Sequence, residues 1–244
     1  LYLNGEDLNN NPDQHPSRGA INFHNWPLER ASLYASSMEI VRERVYPIRA
    51  KNRDKQRREI WWQFTRPTIE LYAAVEPLTR VLVRSRVSDK FIFSFVPKGW
   101  IYNERLVVFA YDDGFHYGVL QSSIHEVWAR AYGSSLKMDL LYNPTNCFET
   151  FPFPQVEAEE QESITLRAEP YHEMRRESAI ARQEGLTKIY VRFHNRKEQS
   201  NDIHVLRQLH LELDQAVAGA YGWTDLDLGH GFHETPQGTR FTIS

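Results

Sequence analysis

The first third of the chain alternates between turn-forming segments and apolar residues at helical spacing. Residues 1–26 are rich in Asn, Pro and Gly, which is typical of turns around short extended pieces. Pro27 can open a helix, because the N–H that proline lacks is not needed in the first turn. One apolar helical face then follows, and Pro47 is expected to end the helix. The members of this face are Ala31, Tyr34, Met38, Val41 and Val45. A second helix is predicted from Pro67 to about Leu78.

The residues that follow have the period of two that is typical of β-strands. Between Arg80 and Val87, apolar and basic side chains alternate along the chain. The valines on one predicted face are Val81, Val83 and Val87. The arginines on the opposite face are Arg80, Arg84 and Arg86.

Further strands are predicted in the middle of the chain. The phenylalanines within residues 91–95 repeat the period of two, and the apolar run 106–110 indicates a buried strand. The Asp-Asp-Gly sequence at 112–114 predicts the turn of a β-hairpin that continues through residues 115–120.

The last half of the chain is predicted to be mainly helical. Ser123 and Glu126 match a capping box, which predicts a helix from this point to Gly133. Residues 143–156 are rich in proline and aromatic side chains and are not expected to be helical. The apolar spacing that ends at Gly222 predicts a long helix, whose face comprises Ile203, Leu206, Leu213, Val217 and Ala220.

These elements predict an α+β fold in two parts. The first part, residues 1–155, has a mixed or antiparallel β-sheet with flanking helices. The second part, residues 156–244, is smaller and mainly helical. An acidic run that begins at Glu157 marks the boundary between them.

Composition narrows the class of protein. The chain has 244 residues, of which 41% are hydrophobic and 25% charged, as in ordinary globular proteins. No apolar run approaches the roughly 20 residues that span a bilayer, so we expect a soluble, cytoplasmic protein with no membrane partner. A single cysteine, Cys147, excludes a disulfide framework. The chain begins with Leu1 and shows no signal segment, which indicates a start within a longer protein.

Charge is distributed unevenly. The formal net charge is −3, yet residues 41–90 hold 13 Lys and Arg against 6 Asp and Glu. A local basic zone of this kind indicates either a contact surface for phosphates or a solvated charged face. Two arginines on one strand face, Arg84 and Arg86, can grip phosphates or the major-groove edge of guanine, or simply face solvent.

The sequence lacks the common catalytic motifs. No glycine-rich phosphate loop, nucleophile elbow or H-E-x-x-H pattern is present. The ten histidines raise the possibility of a metal site, and His230 and His233 are the closest pair; roles in capping, in the core or on the surface are the alternative. Asp112 and Asp113 fit a turn better than a catalytic carboxylate pair. Cys147 fits a buried structural thiol better than a nucleophile.

Two motifs are specific enough to indicate a family. They are Ser122-x-x-His125-x-x-Trp128 and the string Phe148-Glu149-Thr150-Phe151-Pro152-Phe153-Pro154. Together with further segments, they resemble the target recognition domain and C-terminal region of MmeI-like (type IIL and IIG) restriction–modification DNA adenine methyltransferases. The further segments are residues 2–9, 21–23, 26–28, 45–47, 61–62, 120–129, 142–145, 186–190, 206–210 and 220–223.

The resemblance implies a module that reads double-stranded DNA for a methyltransferase domain of the same parent chain. Such parents use S-adenosylmethionine to methylate adenine at N6, and some also cleave DNA. The Asn-Pro-Pro-Tyr-type motif, a glycine-rich cofactor motif and a nuclease motif are all missing from these 244 residues. We therefore expect no cofactor, metal or catalytic residue in this chain.

Charge and spacing then divide the candidate contacts into two sets. The expected base contacts are Arg84, Arg86, Ser88, Asp89 and Lys90. The expected phosphate contacts are Arg49, Lys51, Arg53, Lys55, Arg57 and Arg58. Two other functions stay open: a metal-dependent hydrolase that uses the C-terminal histidines, and an assembly module whose basic zone binds an acidic protein.

The two sets of contacts predict different variant behaviour in the complete enzyme. Arg84→Ala or Arg86→Ala should relax the choice of sequence, whereas Arg53→Ala should weaken binding to all sequences alike. Mapping of methylated sites in a host genome measures both effects. Equal methylation at the same sites by all three variants would contradict this contact map.

Overall fold

In the computed structural model, residues 1–137 and 139–244 are described. Helices combine with antiparallel strands, which confirms the predicted α+β class. None of the helices in these ranges is both long enough and apolar enough to cross a membrane.

The chain begins with strand β1 (Tyr2–Leu3) and helix α1 (Gly5–Asn10). Asn4 caps this helix, because its side-chain oxygen accepts a hydrogen bond from the Asp7 N–H. Strand β1 is one of the short extended pieces expected here, whereas helix α1 was not expected, because asparagine favours helix starts as well as turns.

Five helices follow before the first long strand. They are α2 (Leu28–Ser32), α3 (Ala35–Arg44), α4 (Tyr46–Arg49), α5 (Lys55–Glu59) and α6 (Ile69–Val75). The single helix predicted between Pro27 and Pro47 is thus broken before Ala35, although Ala31, Met38 and Val41 are buried as expected. Pro47 lies in the first turn of α4 and does not end the preceding helix, because a first turn tolerates proline.

The central sheet is antiparallel and has the order β4-β2-β6. The strands in this part of the chain are β2 (Arg80–Ser85), β3 (Val87–Ser88), β4 (Ser94–Pro97), β5 (Ile101–Tyr102) and β6 (Leu106–Phe109). In the middle strand, Leu82 lies opposite Phe95 on one side and Phe109 on the other. Strand β5 lies apart from this sheet and pairs in parallel with β1.

Both faces of the central sheet are covered. Val81 and Val83 belong to a small core with Leu3, Leu8 and residues of α6. Leu82, on the opposite face, belongs to the largest core of the molecule. The alternation in the sequence identified the two faces correctly from Arg80 to Ser85, but neither face is open to solvent, and Arg86 and Val87 lie outside this sheet.

The segment after the central sheet is helical, so the predicted β-hairpin was wrong. Helix α7 (Gly114–Gln121) begins directly after Asp113, whose side chain accepts from the His116 N–H and so caps the helix. The Asp-Gly pair therefore marks a helix start. At Gly118, a Cβ atom would lie 2.6 Å from Cγ2 of Ile164, so glycine permits close packing against a later helix.

A second helix and a small sheet come next. The elements are α8 (Ser123–Tyr132), β7 (Ser134–Leu136), β8 (Asp139–Leu141) and α9 (Pro144–Cys147). Strands β3, β8 and β7 form an antiparallel sheet in that order. The predicted helix ends before Gly133 as expected, but Ser122 caps it and not Ser123. Helix α9 is a single turn within a stretch predicted to be non-helical, with Pro144 at its start.

The C-terminal part has three helices and a hairpin. They are α10 (Ala158–Arg182), α11 (Leu186–Phe193), α12 (Asn201–Ala220), β9 (Gly231–Thr235) and β10 (Gly238–Thr242). The apolar face predicted for α12 is buried at Ile203, Leu206, Leu213 and Val217. The largest core contains residues from both sides of position 155, and the two-part division stays a prediction.

His125 lies at the centre of this core without any exposed surface. Nδ1 lies 2.7 Å from the Leu120 carbonyl, and Nε2 lies 3.1 Å from the Cys147 carbonyl and 3.2 Å from the Tyr142 hydroxyl. Burial lowers the pKa of His125 to about 4. The folded protein therefore holds this imidazole neutral across the physiological range.

This burial makes stability depend on pH. An unfolded histidine has a pKa of about 6.5. Below that pH the unfolded chain binds a proton on this imidazole, whereas His125 in the folded protein stays neutral. The contribution of His125 to the free energy of unfolding is complete above pH 6.5 and falls by about 3 kcal/mol towards pH 4. Urea unfolding of the wild type and His125→Gln at several pH values measures it. A stability difference between the two proteins that stays constant with pH would contradict it.

Candidate nucleic-acid interface

Arg84 lies in the core and not on a surface. Its side chain has no exposed area, because helices cover this face of β2. The guanidinium carbon lies 4.2 Å from the ring centre of Tyr142 and 4.7 and 4.9 Å from those of Phe91 and Phe93. Burial lowers the pKa of Arg84 to about 10, so it stays charged at neutral pH. The aromatic rings stabilise this cation through cation–π contacts.

The side chain of Arg86 is exposed, although Arg86 is only two residues after the buried Arg84. The chain leaves the central sheet after Ser85 and enters the second sheet at Val87, so the strand period does not continue through Arg86. The Arg86 N–H donates to the Arg105 carbonyl at 2.8 Å, and its carbonyl accepts from the Tyr142 N–H at 2.7 Å. The backbone is therefore fixed on both sides while the side chain is exposed.

The polar residues at the end of β3 and directly after it, Ser88, Asp89 and Lys90, are engaged within the protein. Ser88 Oγ accepts from the Lys90 N–H at 3.1 Å. The Lys90 ammonium lies 2.6 Å from the Asp89 carboxylate, so the two charges offset each other. The Asp89 carbonyl accepts from Arg130 at 3.2 Å and from Arg240 at 3.1 Å. Of the predicted base contacts, Arg86 is thus the one whose side chain is both exposed and outside this network.

Glu126 binds the two arginines that hold this loop. Its Oε1 lies 2.7 Å from Arg130 and 2.9 Å from Arg240, which comes from the C-terminal strand β10. These arginines hold the pKa of Glu126 below its usual value despite its burial. The residues before and after position 155 are therefore joined by ionic contacts as well as by the core.

The predicted phosphate contacts remain together on α4, α5 and the turn between them, which we call the basic turn (residues 49–58). Lys51 and Arg53 are exposed and Arg49 is half-buried. Within the ranges that the structure describes, no carboxylate lies within ion-pair distance of these three side chains. The basic turn therefore presents unneutralised positive charge.

The other three cations of the basic turn have local partners. Lys55 lies 3.7 Å from Glu59, and Arg57 lies 3.5 Å from Asp54. These pairs are exposed and contribute little stability. Arg58 donates to the carbonyls of Asn52 and Arg53 at 2.7 and 2.9 Å. Arg58 thereby holds the turn in the shape that presents Lys51 and Arg53.

Two tryptophans, Trp61 and Trp62, connect the basic turn to a core of the protein. Trp62 donates from Nε1 to the Trp26 carbonyl at 2.8 Å, and both Trp61 and Trp62 pack against the small core of α2 and α3. Tyr46 of α4 packs edge-on against Trp61 at 5.0 Å between ring centres. Both tryptophans are therefore partly buried against this core.

The C-terminal histidines have hydrogen-bond partners within the protein. His230 binds the buried carboxylate of Asp214 at 2.9 Å, and His233 binds the Gly229 carbonyl at 2.7 Å. Among the described residues, no group of three or more His, Cys, Asp or Glu side chains is placed to hold a metal ion. Asp214 also accepts from the Ser123 N–H at 2.7 Å, so the network ties the tail to the start of α8.

The two sequence motifs have structural roles. Ser122 caps α8, His125 fills the core, and Phe151 packs against His125 at 4.5 Å between ring centres. Trp128 and Phe153 line an apolar groove of about 860 Å³ that also includes Tyr221. The neighbouring Cys147 is buried as predicted, and this burial raises the pKa of its thiol.

Comparison with known proteins assigns the family. A family model for the MmeI target recognition domain matches residues 26–155, which include the basic turn and Arg86. The chain belongs to this family. The resemblance that the two motifs indicated is thus confirmed. Among curated proteins, no match is found.

A solved structure shares the fold of this MmeI-type domain. It is described as a type IIL restriction–modification enzyme, MmeI, in complex with DNA. The TM-score is 0.66 at 19% sequence identity, over 91% of this chain. This chain covers 28% of the length of that protein, so most of the relative lies outside the matched region.

Sequence reasoning missed the residues that position the candidate contacts. Arg130 and Arg240 hold the loop after β3, and Arg58 holds the basic turn. Arg58 had been identified only as a phosphate contact. Charge marks such residues in the sequence, but the carbonyls that they bind in the loop and in the turn are backbone groups, which no side-chain pattern reveals.

The burial of Arg84 predicts that it acts on stability. Arg84→Ala removes its aromatic contacts and leaves a cavity, so the free energy of unfolding should fall by about 3 kcal/mol. Arg84→Met keeps most of the volume without the charge and should retain most of the stability. Urea unfolding monitored by circular dichroism measures these changes.

Arg86→Ala is the matched control for this stability test. Its side chain is exposed, so its free energy of unfolding should stay within about 0.5 kcal/mol of the wild type. If Arg84→Ala unfolded at the same urea concentration as Arg86→Ala, Arg84 would not be a core residue.

Proposed function

We propose that this chain is the DNA-reading module of a restriction–modification enzyme. The observation that carries the proposal is the family match, because the domain it identifies is one of target recognition. The basic turn supports it, since exposed cations without carboxylate partners lie inside the matched residues. The DNA complex of the structural relative agrees with the same function.

The two surfaces would act differently on a duplex. Arg49, Lys51 and Arg53 form a compact positive surface, which suits the regularly spaced phosphates of the DNA backbone. Arg86 is a single exposed guanidinium on a fixed backbone, which suits a bidentate contact with a guanine edge. Phosphate contacts would position the duplex, and Arg86 would contribute to the choice of sequence.

Arg84 would support this choice only from inside the fold. It lies in the strand that leads to Arg86 and packs against Tyr142, whose N–H binds the Arg86 carbonyl. Asp89 and Lys90 would likewise set the position of the loop beside Arg86. We propose that residues 1–155 carry the DNA-binding surface and that residues 156–244 support it.

The chemistry of the complete enzyme belongs to other parts of the parent chain. We propose a methyltransferase domain in the parent that binds S-adenosylmethionine and methylates adenine in the cytoplasm. Methylation of a base in a duplex requires that the base be flipped out, at an energetic cost of a few kcal/mol. A separate reading module confines that step to the correct site by binding and orienting the duplex.

Salt dependence tests the phosphate contacts directly. The affinity of the 244-residue chain for random-sequence duplex DNA should fall steeply as salt increases, because each neutralised phosphate releases counterions. Arg53→Ala should lower the slope of log affinity against log salt by about one phosphate contact. Fluorescence anisotropy with a labelled duplex over a series of salt concentrations measures the slope.

Lys188→Ala is the control for this experiment. Lys188 is exposed on α11, outside the family match, so its loss should leave the slope unchanged. Binding that does not depend on salt, or an equal change of slope in both variants, would contradict the proposed surface. Binding to an acidic protein without binding to DNA would favour the assembly alternative.

A further inference from the structure

Ile48 is an apolar side chain displayed at the edge of the basic turn. It lies in α4 directly after the exposed Pro47, and 73% of its surface is accessible. Among the described large apolar residues only Leu33, at 81%, is more exposed.

The backbone that carries Ile48 is rigid. The N–H groups of Ile48 and Arg49 both donate to the Val45 carbonyl, at 3.2 and 3.0 Å. Tyr46, two residues earlier, packs against Trp61, which belongs to the supporting core. Ile48 is therefore held outward by the fold and does not lie in a loose loop.

Charge distinguishes Ile48 from Leu33, the apolar residue that is more exposed. Residues 42–58 around Ile48 contain eight Lys and Arg against two Asp and Glu. Residues 28–40 around Leu33 contain one Arg against two Glu. An apolar side chain within a positive surface complements DNA, which offers phosphates on both sides of a stack of apolar bases.

We propose that Ile48 is a wedge that enters a groove of duplex DNA and unstacks one base step. Arg49, Lys51 and Arg53 hold the phosphates beside it. This inference rests on the function proposed above. Inserted apolar side chains unstack and kink DNA in this way, and the bent duplex then contacts more of the protein. A disturbed stack also lowers the energy needed to extrude a base.

Permanganate reactivity tests the wedge without knowledge of the target sequence, because permanganate oxidises unstacked thymines. The complete 244-residue chain is bound at saturation to a pool of random-sequence duplexes, and reactive positions are read by sequencing. Wild type should produce hyperreactive thymines, and Ile48→Ala should lose them. The affinity of Ile48→Ala should fall about tenfold with an unchanged salt slope, because an apolar contact is lost and no phosphate contact changes.

Two variants serve as controls for this loss. Ile48→Leu keeps an apolar side chain of the same size and should retain the hyperreactive thymines. Leu33→Ala removes an equally exposed apolar side chain from a non-basic surface and should also retain them.

Each outcome bears on a different proposal. Salt-dependent binding without hyperreactive thymines, or the same reactivity in Ile48→Ala as in the wild type, would overturn the wedge and leave the DNA-reading function standing. Failure of the wild type to bind any duplex would overturn both proposals. Circular dichroism confirms the fold of each variant beforehand.

Discussion

Residues 91–93 run through the core with their backbone outside any strand ladder. Each buried N–H or C=O group left without a partner would destabilise the fold by about 1–3 kcal/mol. Two side chains supply the partners. Gln121 accepts from the Phe93 N–H at 2.9 Å and donates to the Phe91 carbonyl at 3.0 Å. Arg175 donates to the Phe93 carbonyl at 2.5 Å. Helices α7 and α10 are thereby fixed against the sheet, and the other elements pack around that junction.

This junction explains where the charges of the molecule lie. Because α7 and α10 cover one face of the central sheet, the arginines on that face must be satisfied inside the protein. Arg80 pairs with Glu169 and stacks on Phe95, while Arg84 lies among aromatic rings. Accessible positive charge is present on the basic turn, which packs against its own small core. A chain with a formal net charge of −3 can thus present a local surface for a polyanion.

The exposed position of the basic turn could be predicted from its composition. The basic turn has few apolar residues, so no fold could bury it, and Lys51 and Arg53 are accessible as expected. The strand arginines were not predictable in the same way. Alternation places Arg84 opposite the valines but does not reveal whether a helix covers that face. Arg86 escapes burial because the chain changes sheets after Ser85, which depends on contacts distant in sequence.

The sequence by itself determined the α+β class, the buried faces of α3 and α12, and the family, because these depend on local periodicity and on short motifs. It did not determine the helix at Gly114–Gln121, since Asp-Gly serves equally as a hairpin turn and as a helix start. Only the tertiary structure decided which arginines are core residues and which are surface residues. It also decided that Ile48 lies outward beside the basic turn. The physical reason is the same in each case: burial depends on which elements pack together, and packing is set by residues far apart in the chain.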